Sequence, residues 1–278
     1  MFTKKDALQR LFLCPYSFLA YSFLVCITVS SAALADITEP DCSSKQFDEI
    51  SKIRYIHDGD TLHLIDGRKI RLIGINTPEL ARDRKPAEAY GIEARNALKS
   101  LFKNDKSIAL VYGKDNKDRF GRLLAHAHLT DGQNAQAALL KLGYARVITV
   151  PPNTQMASCY LEIEHKARCE NVGLWQNEKI LQANRLDNQH IGFHLVQGKV
   201  ESIINNKKGL WLNLDNRLTV GIRKTNLSLF DIKTINKMLN QSVIVRGWLN
   251  KNNKSTPFYL RVRHPLSIQL ATAYNCQQ

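Results

Sequence analysis

At 278 residues, with 44% hydrophobic and 23% charged side chains, the chain has the length and composition for one or two packed domains, which excludes wholesale disorder. Its 39 Lys and Arg against 25 Asp and Glu give a net charge of +14, so a polyanionic partner is expected, either nucleic acid or an anionic membrane surface.

The N-terminus carries Lys4, Lys5 and Arg10 and then no charged residue from Leu11 to Ala35, closing on Ala33-Leu34-Ala35 before Asp36. That order of basic, apolar and small residues predicts a signal peptide over 1–35, cleaved after Ala35, and export to the periplasm or medium. The apolar stretch approaches a membrane-spanning length, so an uncleaved anchor is the alternative; Pro15, Ser17, Ser22 and Thr28 weaken it. Cleavage would leave a protein with no stable membrane association, expected to act as a monomer.

In chain order, Ile53–Ile56 reads as a strand leading to Asp58-Gly59-Asp60, and Thr61–Ile65 alternates as the next. Asp66-Gly67 is a hairpin signal, and Lys69–Ile75 reads as the return strand, ended by Thr77-Pro78-Glu79. A helix is expected over Ala87–Phe102. A strand pair fits Ser107–Tyr112 and Arg122–Leu129, joined by the polar segment Gly113–Gly121. Two more helices fit Asn134–Leu142, ended by Gly143, and Thr154–Cys169. The pattern predicts a small α+β domain on a five-stranded barrel over 36–180. The polar stretch 181–191 reads as a linker.

A second unit, 192–278, carries strand-like runs at Leu195–Ile204, Leu210–Leu214, Leu218–Ile222, Ser242–Leu249 and Tyr259–Val262, with a helical segment at Ile232–Leu239. Five short strands with a helix after the third suggest another barrel of the OB type, a frequent nucleic-acid platform and equally a structural module. It holds 13 Lys and Arg against 3 Asp and Glu, a net of +10, whereas 36–191 carry only +2. Sequence-independent grip on phosphates is therefore expected from the second unit.

Four Cys follow the leader: Cys42, Cys159, Cys169 and Cys276. An even number in an exported chain suggests disulfides; free thiols are the alternative, and no C-x-x-C spacing favours a metal. Cys159 and Cys169 on one helix would stand about 15 Å apart, beyond the roughly 7 Å a disulfide spans. They are expected to pair with Cys42 and Cys276, in either order.

Asp58-Gly59-Asp60-Thr61 enters one strand and Asn76-Thr77-Pro78-Glu79 leaves another, so both can converge at one barrel edge. Asp60, Asn76, the Thr77 carbonyl and Glu79 are hard oxygen donors suited to Ca²⁺. Arg71, Arg119 and Arg122 supply the cationic donors that a phosphodiester needs.

The runs Asp58-Gly59-Asp60-Thr61, Ile70–Glu79, Tyr90-Gly91-x-Glu93-Ala94 and Asp118-Arg119-Phe120-Gly121-Arg122-x-Leu124-Ala125 together resemble the staphylococcal nuclease (thermonuclease) family over about residues 53–175. The resemblance implies an OB barrel with three helices and Ca²⁺-dependent hydrolysis of DNA and RNA to leave 3′-phosphates. It implies that Asp60, Asn76 and the Thr77 carbonyl hold the metal. Glu79 is implied as general base, and Arg71 and Arg122 as the residues that stabilise the phosphorane. Arg119, Phe120 and Tyr90 are taken as substrate-binding. Two departures bear on this. Asn76 stands where the family commonly has Asp, which predicts weaker calcium binding. The tyrosines of the family's nucleotide pocket are missing, with Phe120 in the Arg-Phe-Gly-Arg turn and no tyrosine in 147–152. A catalytically weak nucleic-acid-binding protein is the alternative.

Overall fold

The computed structural model describes residues 42–81, 86–253 and 256–276. The expected signal segment lies outside the described residues.

Strands β1 (Glu49–Ile56), β2 (Thr61–Leu64) and β3 (Lys69–Leu72) form an antiparallel meander. The β2–β3 turn is the Asp66-Gly67 hairpin, with Gly67 at φ 87° and its N–H donating to the Leu64 carbonyl. Strand β4 (Ile75–Asn76) comes next, then helix α1 (Gly91–Leu101), β5 (Ser107–Lys117) and β6 (Leu123–His128). Strand β3 pairs in parallel with β6, β6 with β5 and β5 with β1, so the sheet closes as a five-stranded barrel. Its interior is aliphatic: Leu62, Leu64, Ile70, Leu72, Ile108 and Leu110 are all fully buried.

Several expected elements differ in extent, among them the helix expected over Ala87–Phe102, which begins only at Gly91. The single return strand Lys69–Ile75 is broken. Gly74 adopts φ 84°, and a Cβ there would lie 2.7 Å from the Tyr160 ring, so only glycine permits the chain to turn beneath that ring. β4 thereby leaves the barrel and pairs with β7 (Arg146–Val147). The segment after Tyr112 is strand to Lys117, with the register shifted between those two residues, rather than an open connection.

Helix α2 (Ala135–Lys141) starts at Asn134, whose side chain accepts a hydrogen bond from the Ala137 N–H, and Gly143 follows its end at φ 66°. Helix α3 (Ala157–Cys169) packs on α2 and carries both expected cysteines. The bonds are Cys42–Cys159 and Cys169–Cys276, so each chain end is tied to α3.

The second barrel is built from β9 (Gly192–Asn206), β10 (Gly209–Leu214), β11 (Leu218–Arg223), β12 (Ser242–Lys251) and β13 (Phe258–Val262), closed by the β12–β9 pairing. The short β8 (Leu181–Gln182) extends it beside β9, and β14 (Ile268–Leu270) extends it beside β12. Alternation sets its inside: Leu210, Leu212, Leu214, Leu218, Val220 and Ile222 are all fully buried. Helix α4 (Ile232–Asn236) follows β11 and is shorter than the expected Ile232–Leu239. The stretch read as a linker contributes β8, and its Ala183 and Leu186 belong to the second barrel's core.

The two barrels meet across a seam that holds a buried charged pair. Arg246 of β12, only 3% exposed, donates from Nη2 to Glu164 Oε2 of α3 at 2.6 Å and to the Tyr274 hydroxyl at 2.9 Å, and from Nη1 to the Val147 carbonyl at 3.1 Å. Glu164 Oε1 accepts the Val147 N–H at 2.7 Å. Trp175, Leu174 and Ala167 pack there with Leu195, Ile244 and Tyr274. Among the described residues no helix is long and apolar enough to cross a membrane.

Candidate active site

The turn into β2 places Asp60, and the exit from β4 places Thr77. Asp60 is 7% exposed, and each of its oxygens is spoken for. Oδ1 accepts the Thr61 hydroxyl at 3.1 Å, while Oδ2 accepts the Thr77 N–H at 3.1 Å and pairs with Arg71 Nη1 at 2.9 Å. Arg71, directly opposite Thr61 in the β2–β3 ladder, is further pinned by donating to the Leu72 carbonyl at 2.8 Å and the Ile75 carbonyl at 3.0 Å. The second carbonyl is available because the chain breaks at Gly74.

Arg122 reaches the same cluster from the turn just before β6. Its Nη1 donates to Thr61 Oγ1 at 3.3 Å and its Nε to Asp118 Oδ2 at 2.8 Å. Thr61 thus bridges Asp60 and Arg122. Asp118 builds the turn that presents this arginine, its Oδ1 accepting the N–H groups of Phe120 and Arg122. Burial works to raise the Asp118 carboxyl, but the hydrogen bonds from Arg122 outweigh it and hold the group below its ordinary value. The turn projects Phe120, 68% exposed, with the Arg119 guanidinium 4.7 Å and the Arg122 guanidinium 5.6 Å from its ring centroid.

Glu79 sits at the exposed rim just past Thr77. Burial, then the charges of Asp60, Asp58 and Glu88, push its carboxyl above the ordinary range, with Arg71 opposing. Burial likewise raises Asp60, with Arg71 opposing and Asp58 adding to the rise. No cluster of three or more His, Cys, Asp or Glu suited to a metal occurs among the described residues. The hard oxygens that could hold a cation at this edge are the Asp60 carboxylate, the Asn76 amide oxygen and the Thr77 carbonyl, donors of a kind suited to Ca²⁺ rather than zinc.

Asp60, Thr77, Arg71 and Arg122 are thus drawn into one connected cluster, with Glu79 coupled to it by charge. Asn76 pairs across β4–β7 with Arg146, whose guanidinium is held by Glu178. Tyr90 is drawn elsewhere. Its ring stacks on Tyr144 at 6.1 Å and its hydroxyl donates to Gln176 at 3.4 Å, contacts of helix packing. Sequence reasoning passed over Thr61 and Asp118 as working residues. For Asp118 a signal existed, since an Asp opening a four-residue turn with Gly commonly caps it.

A family model described as "Staphylococcal nuclease homologue" matches residues 69–177. The thermonuclease of Staphylococcus intermedius is 32% identical over 127 residues, covering 45% of this chain and 74% of that protein. The thermonuclease of Staphylococcus hyicus is 33% identical over 129 residues, 45% and 75% of the two chains. Endonuclease YncB of Bacillus subtilis is 35% identical over 123 residues, 42% of this chain and 57% of its own. The family model's match lies within the first barrel and its helices.

Proposed function

The chain belongs to the staphylococcal nuclease homologues, and from that premise we propose that it is an exported, Ca²⁺-dependent nuclease acting on DNA and RNA to leave 3′-phosphates. The observation that carries this reading is the connected cluster Arg71–Asp60–Thr61–Arg122, which fixes two guanidinium groups beside an acidic edge. The oxygen donors of Asp60, Asn76 and Thr77 would hold the metal, which when bound supplies positive charge to a phosphate oxygen.

Glu79 is the proton acceptor for the attacking water. Burial, with the nearby carboxylates adding, raises its carboxyl above the ordinary range and makes it a better base than an ordinary glutamate. Arg71 and Arg122 bind the phosphate with charge-assisted hydrogen bonds that strengthen as charge builds on the phosphorane. Neither arginine gives up a proton, so water protonates the leaving oxygen. Phe120, braced by Arg119, offers a base-stacking face beside the phosphate site. The two disulfides suit an oxidising compartment and so support export.

Asn76 favours the second reading, a catalytically weak nucleic-acid binder, because an amide leaves the metal site with one charge fewer. One experiment separates the two: purified protein is incubated with plasmid, linear DNA and RNA, with Ca²⁺ or with EGTA. Calcium-dependent cutting is expected, falling on the order of 10²-fold or more in Glu79→Gln and in Arg71→Ala. Absence of cutting at millimolar Ca²⁺ would leave only the binder, and variants as fast as the parent would refute the site.

A further inference from the structure

The outer face of the second barrel carries a feature that catalysis in the first barrel does not use. Leu210, Leu212, Val220, Ile222, Leu260 and Val262 point inward and are fully buried, so their neighbours in β10, β11 and β13 point outward. Those outward positions are Trp211 on β10, Gly221 and Arg223 on β11, and Tyr259 and Arg261 on β13, with Arg263 directly after. The ladder sets Gly221 directly opposite Trp211 on one side and Arg261 on the other.

The two rings lean over the glycine. A Cβ at Gly221 would fall 2.6 Å from the Trp211 six-membered ring and 2.7 Å from the Tyr259 ring, so the missing side chain is what lets them approach. Their centroids are 6.3 Å apart at 42°.

Two open clefts flank this pair and share Tyr259. One, of about 540 Å³, is lined by Trp211, Tyr259, Lys208, Arg223 and Asn252. The other, of about 270 Å³, is lined by Tyr259, Arg261, Arg263 and the 46%-exposed Trp248, and its far wall is Ile148–Val150 of the first barrel. Those wall residues follow β7, the strand that pairs with β4 and hence with Asn76. The two clefts, sharing Tyr259, gather aromatic and basic side chains along a trough that starts on the second barrel and ends at Ile148–Val150, next to the β4–β7 ladder.

We propose that this trough binds single-stranded nucleic acid, with bases stacked on Trp211, Tyr259 and Trp248 and the backbone held by Lys208, Arg223, Arg261 and Arg263. The inference rests on the nucleolytic reading for its substrate class and adds the strandedness and the route. A polyanion follows from the +10 carried by residues 192–278. A single strand follows from the rings: only unpaired bases offer their faces to aromatic side chains, whereas a duplex hides them. The rings of Trp211 and Tyr259 lie recessed in a concavity, the wrong shape for insertion into a lipid surface.

The test is fluorescence anisotropy with labelled oligothymidylate of about 16 nucleotides in EDTA, using the full folded chain. Trp211→Ala and Tyr259→Ala are each expected to weaken binding about tenfold or more, while Tyr259→Phe, which keeps the ring, stays near the parent. Arg263→Ala should lower the salt dependence of log K by about 0.7, the contribution of one phosphate contact to a single strand. Melting curves like the parent's establish that each variant is folded. Ring variants that bind the single strand as the parent does overturn the proposal. So does an equal loss on duplex of the same length, or a loss on phosphatidylglycerol vesicles without one on the oligonucleotide. Calcium-dependent cleavage of a dinucleotide, which is too short to reach the trough, should be unchanged in all these variants. Failure of that cleavage in the parent would count against the nuclease reading and leave strand binding standing.

Discussion

Glu164→Gln should uncouple the two barrels. Arg246 is a guanidinium only 3% exposed, and its partner carboxylate, 2.6 Å away, is only 2% exposed. Removing the charge from one member leaves the other buried with two neutral partners, the Val147 carbonyl and the Tyr274 hydroxyl. Breaking a buried pair from one side costs about 3–5 kcal/mol. At roughly 2–4 °C per kcal/mol for a chain of this size, the melting temperature should fall on the order of 10 °C. The double variant Glu164→Leu, Arg246→Met removes both charges and the desolvation burden with them, so most of the loss should return. Thermal melting followed by circular dichroism checks the cycle. A single-variant drop under about 3 °C, or a double variant no better than the single one, would refute the view that a desolvated charge pair locks the seam. The consequence reaches the candidate site, because Glu164 and Arg246 both hydrogen-bond to Val147, whose strand pairs with β4.

Asn76→Asp adds a carboxylate to the proposed metal-binding edge and should lower the Ca²⁺ concentration for half-maximal cleavage on the order of tenfold, read from a calcium titration of activity. His126 is 3% exposed with Nδ1 2.8 Å from the Tyr160 hydroxyl; burial pushes it down to about 4 from 6.5. The unfolded chain takes up that proton first, so the stabilisation is complete above pH 6.5 and is lost as pH falls towards 4. It amounts to about 3 kcal/mol, and His126→Gln should flatten the fall in melting temperature over that window. Cys276→Ser opens a bond between residues 107 positions apart, which should lower stability by about 4 kcal/mol without abolishing either barrel, read by urea denaturation.

Much of the fold was legible because it is local. Leu210, Leu212 and Leu214 on one face and Leu218, Val220 and Ile222 on the next declare two half-buried strands, and Asp66-Gly67 declares the turn between β2 and β3. The run Lys69–Ile75 misled because its apolar residues continue on both sides of Gly74, and a left-handed glycine is invisible until the Tyr160 ring that demands it is in place. Residues 181–191 read as a linker because Gln, Asn and Asp dominate; Ala183 and Leu186 are too few to raise a periodic signal, yet both are core.

The site divides along the same line. Asp60, Asn76, Thr77 and Glu79 lie in two short runs that strand geometry alone brings to one edge, so they could be named from spacing. Thr61 could not be given its role, because linking Asp60 to Arg122 depends on a contact across 61 positions of sequence. Arg246 and Glu164 are farther beyond reach: they stand 82 positions apart, and a charged residue inside a strand or helix reads as solvated until burial is known. The residues proposed for the chemistry could therefore be named before those that hold them in place. Recognition motifs cluster because turns cluster them, whereas the groups that fix their orientation are recruited from wherever the fold happens to bring a partner.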